Sequence, residues 1–373
     1  MAVATRFGSS LPAPLRTPGA RTALVFAVAL ALPFVGHNGG FTNFLADAGA
    51  FVLLALGLNI VVGFAGLLDL GYAAFFAIGS YAFALLASPQ VNVHWAIWPQ
   101  GGIHVPFWVL LFVASGIAAV FGILLGAPTL RLRGDYLAIV TLGFGEIVPQ
   151  TFLNLSQWTG GPNGIGSLDQ PTIGSYKFGF DPLPYYFMVL GLVALTVWLA
   201  NNLRASRLGR AWMAIREDEL AAAHMGINTT TTKLAAFAIG ASFSGLAGCA
   251  LASKLQLVST EQFQFQVSVF ILAMLVLGGM GNIPGVIVGS LVLSALERFI
   301  LPQATNFLHG LGFASIDLSN SRFLIYGVIL VMMMLFRPEG LIPSGQRKAE
   351  LHAAEDDTTV AGHEQELYTE AIR

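Results

Sequence analysis

Apolar stretches of membrane-spanning length constrain this 373-residue sequence more than any other feature. A helix needs about 17–25 mostly apolar residues to cross the hydrocarbon core of a bilayer. The candidate stretches are residues 22–36, 43–63, 71–88, 106–127, 136–153, 183–201, 234–253, 266–282, 284–301 and 321–337. Several are short or rich in glycine, so we expect about ten helices, within a range of about eight to ten, some of them broken. The sequence predicts an all-α polytopic membrane protein.

The composition argues against several other classes of protein. Hydrophobic residues make up 55% of the chain and charged residues only 10%, whereas a soluble domain carries about 25% charged residues. No strongly basic patch points to nucleic acid, and the single cysteine, Cys249, excludes an internal disulfide. The sequence contains no phosphate-binding glycine loop and no histidine–cysteine cluster with metal-ligand spacing. We therefore expect no cofactor and no metal, and we do not expect an enzyme.

The basic residues predict the orientation in the membrane, because cytoplasmic loops concentrate Lys and Arg. Suppose that all ten stretches cross and that the N-terminus is cytoplasmic. Of the 18 basic residues, only Lys177, Lys254, Arg298 and Arg322 then lie outside. A miscount by one helix would scatter the basic loops over both sides. Both termini are therefore predicted to be cytoplasmic.

The same pattern divides the chain into three parts. Residues 1–21 are expected to form a cytoplasmic N-terminal segment, and residues 22–337 a transmembrane domain. Residues 338–373 form a polar, acidic tail that cannot bury much apolar area, so we expect it to be cytoplasmic and disordered.

Three acidic residues, Asp47, Asp69 and Glu146, lie in or beside the apolar stretches away from the expected interfaces, where a charge is costly and suggests a role. Asp69 precedes the third stretch and is expected either to cap its first turn or to face a pathway. Glu146 lies between Gly145 and Pro149, which loosen the helix and expose backbone groups. It is expected either to make a structural hydrogen bond or ion pair, or to face a pathway.

The loop 204–233 is the longest internal connection between two stretches and the most informative segment. Residues 217–225 are good helix formers with acids in the first turn, and Gly226 is typical of a helix end. This predicts a short cytoplasmic helix. It lies either in the lipid headgroups or in a protein groove, and its small alanine face, Ala221 to Ala223, favours the groove.

At this point the sequence resembles a known family, the permease subunits of branched-chain amino acid importers of the ABC class, in particular the LivM type. The matching segments are Gly57–Gly71, Leu130–Ile147, Thr159–Ile165, Arg216–Asn228 and Gly278–Gly285. The resemblance implies ATP-driven uptake across the bacterial plasma (inner) membrane. It implies as partners separate ABC ATPase subunits, a second permease of the LivH type and an extracytoplasmic solute-binding protein.

The resemblance also assigns candidate residues. The loop is similar to the importer coupling loop, in which Glu-Ala-Ala is followed three residues later by Gly, but here the acid stands one place early, at Glu219. A second departure is Pro149, where the resemblance leads us to expect a basic residue. The residues expected to couple to the ATPase are Arg216, Glu217, Glu219, Ala221, Ala222 and Gly226. The candidate pathway residues are Asn59, Asp69, Tyr72, Thr141 and Glu146.

Two alternatives stay open. An ion-gradient-driven secondary transporter or channel would use Glu146 and would function as an isolated chain. The substrate is expected to be a branched-chain or other neutral amino acid, with urea or short amides as the alternative.

Overall fold

The structure, a computed structural model, describes residues 18–35, 39–88, 105–130, 135–310, 321–337 and 339–342. Its α-helices are α1 (Pro18–Val35), α2 (Gly39–Leu58), α3 (Tyr72–Leu86), α4 (Phe107–Thr129), α5 (Asp135–Asn154), α6 (Ser156–Thr159), α7 (Pro182–Ala205), α8 (Arg207–Glu217), α9 (Glu219–His224), α10 (Thr229–Leu255), α11 (Phe265–Gly278), α12 (Ile283–Ala295), α13 (Leu301–Gly310) and α14 (Arg322–Phe336). The π-helical turns Asn59–Phe64 and Leu296–Ile300 extend α2 and join α12 to α13. The predicted N-terminal segment 1–21 and tail 338–373 lie outside the described residues, apart from 18–21 and 339–342.

Each of the ten predicted apolar stretches coincides with a helix in the described part of the chain. Six helices are long and apolar enough to cross a membrane, counting α2 with its π-helical end, and α12 with α13, as single helices. Three more, α3, α11 and α14, are apolar but shorter, and α1 matches the first stretch. The predicted all-α polytopic membrane protein is confirmed, with its short and broken helices.

Helix α2 lies at the centre of the bundle, and α4 and α5 lie at its edge. An 18-residue stretch of α2 with its π-helical end is 83% buried, against 33% for α4 and 22% for α5. The central helix contacts α7, α10 and α12, and α10 in turn packs against α3 and α4.

Small residues allow these helices to approach closely. A Cβ atom on Gly248 of α10 would lie 2.8 Å from the Phe76 carbonyl oxygen of α3, and one on Gly57 of α2 would lie 2.0 Å from the Tyr72 hydroxyl. Because lipid supplies no hydrophobic drive between helices, such close packing is a main source of their association.

The short helices α3 and α11 begin inside the bundle. The Tyr72 hydroxyl at the start of α3 donates to the Gly240 carbonyl at 2.8 Å, and Gly240 lies eleven residues into α10, about 16 Å along its axis. The Ala73 N–H donates to the Ser268 hydroxyl in the first turn of α11 at 2.9 Å. The non-helical residues 65–71 therefore lead the chain from the end of α2 back into the protein interior.

One end of the bundle carries the four short strands, β1 (Ile165–Gly166), β2 (Thr172–Ile173), β3 (Tyr176–Lys177) and β4 (Leu257–Val258). Strands β1 and β4 are antiparallel with Ile165 opposite Val258, and β2 and β3 form a hairpin. The Asp169 N–H donates to the Ala87 carbonyl just after α3 at 2.8 Å. The chain after α7 and before α10 lies at the other end.

Candidate functional site

Helices α8 and α9 form a bent pair at that other end, which we call the elbow (residues 206–226). Ser206 begins α8, because its hydroxyl accepts from the Gly209 N–H at 3.2 Å. Trp212 and Ile215 on the inner face are buried. The Trp212 indole N–H donates to the Thr232 carbonyl at 2.7 Å, which fastens α8 to the start of α10.

Asp218 separates the two helices of the elbow. Its carboxylate accepts from the N–H groups of Leu220 at 2.8 Å and Ala221 at 3.0 Å, and so caps α9. The amino-acid sequence predicts one helix over residues 217–225. The structure instead places Glu217 at the end of α8 and begins α9 at Glu219, because Asp218 adopts an extended backbone that no continuous helix contains.

An ion pair sets the angle of α9 against α10. The Glu219 carboxylate lies 2.6 Å from the Lys233 ammonium, whose side chain is only 6% exposed. Removing either partner would leave a largely buried charge uncompensated, or release the start of α9. The acid that stands one place early in the sequence pattern therefore has a definite structural role here.

The far side of α9 is an exposed apolar tip. Met225 is 83% exposed and Leu220 is 57% exposed, and Ala221 lies exposed beside them. Ala222 faces the other way and is buried. Gly226 has a φ of +86°, a backbone conformation that suits glycine, and it ends the helix. No described residue covers the tip.

Arg216 connects the elbow to the end of α2. One guanidinium nitrogen donates to the Gly63 carbonyl at 2.7 Å. A Cβ atom on Gly66 would lie 2.7 Å from the Cγ atom of Arg216, so the aliphatic part of the arginine lies against the first residues of the 65–71 segment.

Beside Arg216, three segments meet at a glycine-lined junction. The Asn59 side-chain oxygen accepts from the Gly281 N–H at 2.8 Å. In the same α11–α12 turn, the Asn282 side-chain amide donates to the Ile342 carbonyl at 2.8 Å. The residues after α14 are thereby fastened to the turn that the elbow approaches.

Asp69 lies at the inner end of the 65–71 segment and is buried. One carboxylate oxygen accepts from the Gly71 N–H at 2.9 Å. This shapes the turn one residue before α3, and is not a bond to an N–H of the helix itself. The other oxygen has no hydrogen-bond partner among the described residues. Asp69 also lines a cavity of about 10 Å³ shared with Thr141 and Phe144, the size of a single water.

The 65–71 segment ends against α5. The Thr141 hydroxyl accepts from the Leu70 N–H at 3.1 Å. A Cβ atom on Gly145 would lie 3.1 Å from the Gly71 Cα atom. Glu146, the next residue, points away from this contact and is exposed.

The structure thus places the predicted pathway residues in three different environments. Asn59, Tyr72 and Thr141 are buried and hydrogen-bonded to the backbone of other segments. Asp69 lies in the interior cavity, and Glu146 lies apart from the other four on the outer face of α5. The predicted coupling residues, in contrast, all lie in the elbow.

Sequence reasoning missed α8, Lys233 and Ser268. A signal for α8 was present, since Ser206 is followed by Leu208, Trp212 and Ile215 at helical spacing. Ser268 had no local signal, because its partner, Ala73, is 195 residues away.

The family profile described as "Branched-chain amino acid transport system / permease component" matches residues 40–333. The chain belongs to this family. It is 39% identical over 357 residues to the high-affinity branched-chain amino acid transport system permease protein LivM of Salmonella typhimurium, an alignment that covers 87% of this chain and 77% of that protein. It is 38% identical over 349 residues to the Escherichia coli LivM, covering 88% and 75%.

A more distant relative is the permease protein LivH of Salmonella typhimurium. The chain is 24% identical to it over 311 residues, which cover 78% of this chain and 91% of LivH. No solved structure matches the chain. The chain is therefore a multi-pass membrane permease of the branched-chain amino acid transport family, a transport subunit and not an enzyme.

Proposed function

We propose that this chain is the membrane-spanning permease subunit of an ATP-driven ABC importer that moves branched-chain amino acids into the cell. It resides in the plasma (inner) membrane as a multi-pass protein, with both termini and the elbow on the cytoplasmic side. The identity to two LivM proteins over most of the chain supports this function, and the excess of basic residues around the elbow supports the orientation.

The proposed transporter contains further subunits. ATP is hydrolysed on separate ABC ATPase subunits, because the sequence has no phosphate-binding glycine loop. A second permease of the LivH type forms the other wall of the pathway, and the likeness of this chain to LivH supports a pair of similarly folded subunits. An extracytoplasmic solute-binding protein delivers the substrate, and membrane lipid surrounds the pair. Nucleic acid is not among the partners.

The elbow is the single observation that carries the coupling proposal. Its apolar tip, Leu220 and Met225, is exposed to a partner, while its base is anchored by Trp212 and by the pair of Glu219 with Lys233. Closure of the ATPase subunits pushes the tip, and the anchored base moves as one body. Such rigid-body rocking around a central site is the usual form of alternating access.

Arg216 passes that movement into the membrane domain. It holds Gly63 at the end of α2 and packs on Gly66, so a displacement of the elbow shifts the 65–71 segment. That segment ends on Gly145 of α5. In this mechanism Asn59, Asp69, Tyr72 and Thr141 keep the broken backbone of the pathway region in place.

The test is reconstitution of the chain in proteoliposomes, with and without the second permease, the ATPase subunits and the binding protein. We expect uptake of leucine, isoleucine or valine only in the complete set and only with ATP. Uptake by the chain alone, independent of ATP and abolished by Glu146→Gln, would instead establish an ion-driven carrier. Uptake of urea or short amides in place of leucine would refute the substrate.

A further inference from the structure

Glu146 is an exposed carboxylate near the middle of α5, a helix long and apolar enough to cross a membrane. It lies eleven residues after Asp135 and eight before Asn154 in α5, about 16 Å and 12 Å from the two ends of the helix. A charge at that depth facing lipid costs several kcal/mol by insertion scales, so intramembrane acids face a bundle interior or a water-filled cavity.

The other acids on long apolar helices whose side chains the structure describes have cationic partners. Asp47 pairs with Lys254, and Glu297 lies 3.3 Å from Arg322. Glu146 has no hydrogen bond or ion pair with any described residue. Its partner is therefore expected from outside the described residues.

A second polar group lies on the same side of α5 as Glu146. Gly145 and Pro149, in contrast, lie on the buried side of this helix. Gly143 leaves open space on the same helix, because a Cβ atom there would meet nothing within 4 Å. Gln150, one turn farther along, is also exposed. The Glu146 carboxylate and the Gln150 amide thus follow one another on the exposed side of α5.

We infer that this face of α5 lines the translocation pathway and that Glu146 receives the ammonium group of the amino acid as it passes the membrane centre. An ammonium group carries three donors and a positive charge, which the Glu146 carboxylate and the side-chain oxygen of Gln150 complement. The second permease closes the pathway on the opposite side. The inference rests on the proposed import function. It specifies that the ammonium group of the substrate is bound, and that it is bound at Glu146.

The first test asks whether the face is aqueous. In a Cys249→Ala background, Glu146→Cys and Gln150→Cys are each treated, in the assembled transporter, with a positively charged methanethiosulfonate reagent. The matched control is Val120→Cys, at the middle of α4 and 54% exposed. We expect both α5 cysteines to react at least about tenfold faster than the control, because the reagent needs water. Equal rates at all three positions would overturn the inference, whatever the variants do to uptake.

The second test asks whether the charge serves transport. Glu146→Gln keeps the size of the side chain and removes its charge, and we expect leucine uptake per assembled transporter to fall about tenfold, as for the loss of one charge-assisted hydrogen bond. Glu146→Asp should retain uptake within about threefold of the wild type, because it keeps the charge. Normal uptake by Glu146→Gln would overturn the ammonium contact while leaving the importer assignment intact. A wild-type transporter without ATP-dependent uptake would refute that assignment instead.

Discussion

The elbow and the outer face of α5 differ in whether their charged groups have partners among the described residues. In the elbow, Glu219 is paired with Lys233, Asp218 caps α9, and Arg216 holds the Gly63 carbonyl. On α5, Glu146 is exposed without a partner among the described residues, in a helix that is only 22% buried. The hydrogen bonds and the ion pair fasten the elbow to the membrane helices. On α5, no described residue partners the exposed carboxylate.

The two regions are joined by the 65–71 segment. Gly66 lies on Arg216 at one end, and Gly71 lies on Gly145 at the other. The segment is short, and both of its ends are in close contact, so it can transmit a displacement between them. Variants in the elbow should therefore affect coupling to ATP, whereas variants on α5 should affect passage of the substrate.

The largest effect is expected from variants that disrupt α9 itself. Ala222→Glu places a charge at a buried position, and Gly226→Phe forces a bulky residue into a left-handed backbone. We expect ATP-dependent uptake to be lost in both, with membrane insertion intact, as measured by leucine uptake and by the amount of chain in the membrane fraction.

Gly226→Asn is the matched control for that prediction. Asparagine tolerates the left-handed region better than other residues with side chains, so uptake should be largely kept. Normal uptake in Ala222→Glu and Gly226→Phe would show that the elbow is not the contact.

A smaller effect is expected from Arg216→Gln, which removes the charged hydrogen bond to Gly63. Such bonds contribute about 1.5–3 kcal/mol, so we expect uptake to fall roughly tenfold while ATP hydrolysis continues without transport. Arg210→Gln is the control, because among the described residues the Arg210 side chain donates to Ala205, the last residue of α7, and the variant should change uptake by less than about twofold. If the Arg216 and Arg210 variants behave alike, Arg216 does not transmit the movement.

The ion pair at the base of the elbow gives a third prediction, on stability. Glu219→Gln leaves Lys233 largely buried without its partner, and should destabilise the chain by about 1–3 kcal/mol, less than a fully buried pair because Glu219 is partly exposed. The measurement is the midpoint of thermal unfolding of the purified protein in detergent. Adding Lys233→Met to that variant should restore most of the loss, and failure to do so would show that the pair does not set the elbow.

The smallest effect is expected at Gln150. Gln150→Leu removes a polar group from the proposed pathway face and should lower leucine uptake by about two- to threefold. Val120→Leu on α4, whose exposed residues are apolar, should change nothing. Equal behaviour of the two variants would remove the distinction between a pathway face and a lipid face.

Much of the fold was predictable, because long apolar stretches report directly on membrane helices. The bend of the elbow was not, since Asp218 belongs equally well to the first turn of a longer helix by composition. The interior starts of α3 and α11 depend on contacts such as Tyr72 with Gly240, which are 168 residues apart. The candidate pathway residues are polar residues in or beside the matching segments. Polarity did not separate Asn59, which is buried against Gly281, from Glu146, which is exposed.

The most direct test of the coupling account is a cross-link from the tip of the elbow. The variant Met225→Cys is made in a Cys249→Ala background, at a position that is 83% exposed. Membranes that contain the complete transporter are then treated with a short bifunctional thiol reagent. Val120→Cys is the control on α4. The account predicts an adduct between Met225→Cys and an ATPase subunit and none from the control. Free modification of Met225→Cys without any ATPase adduct would contradict it.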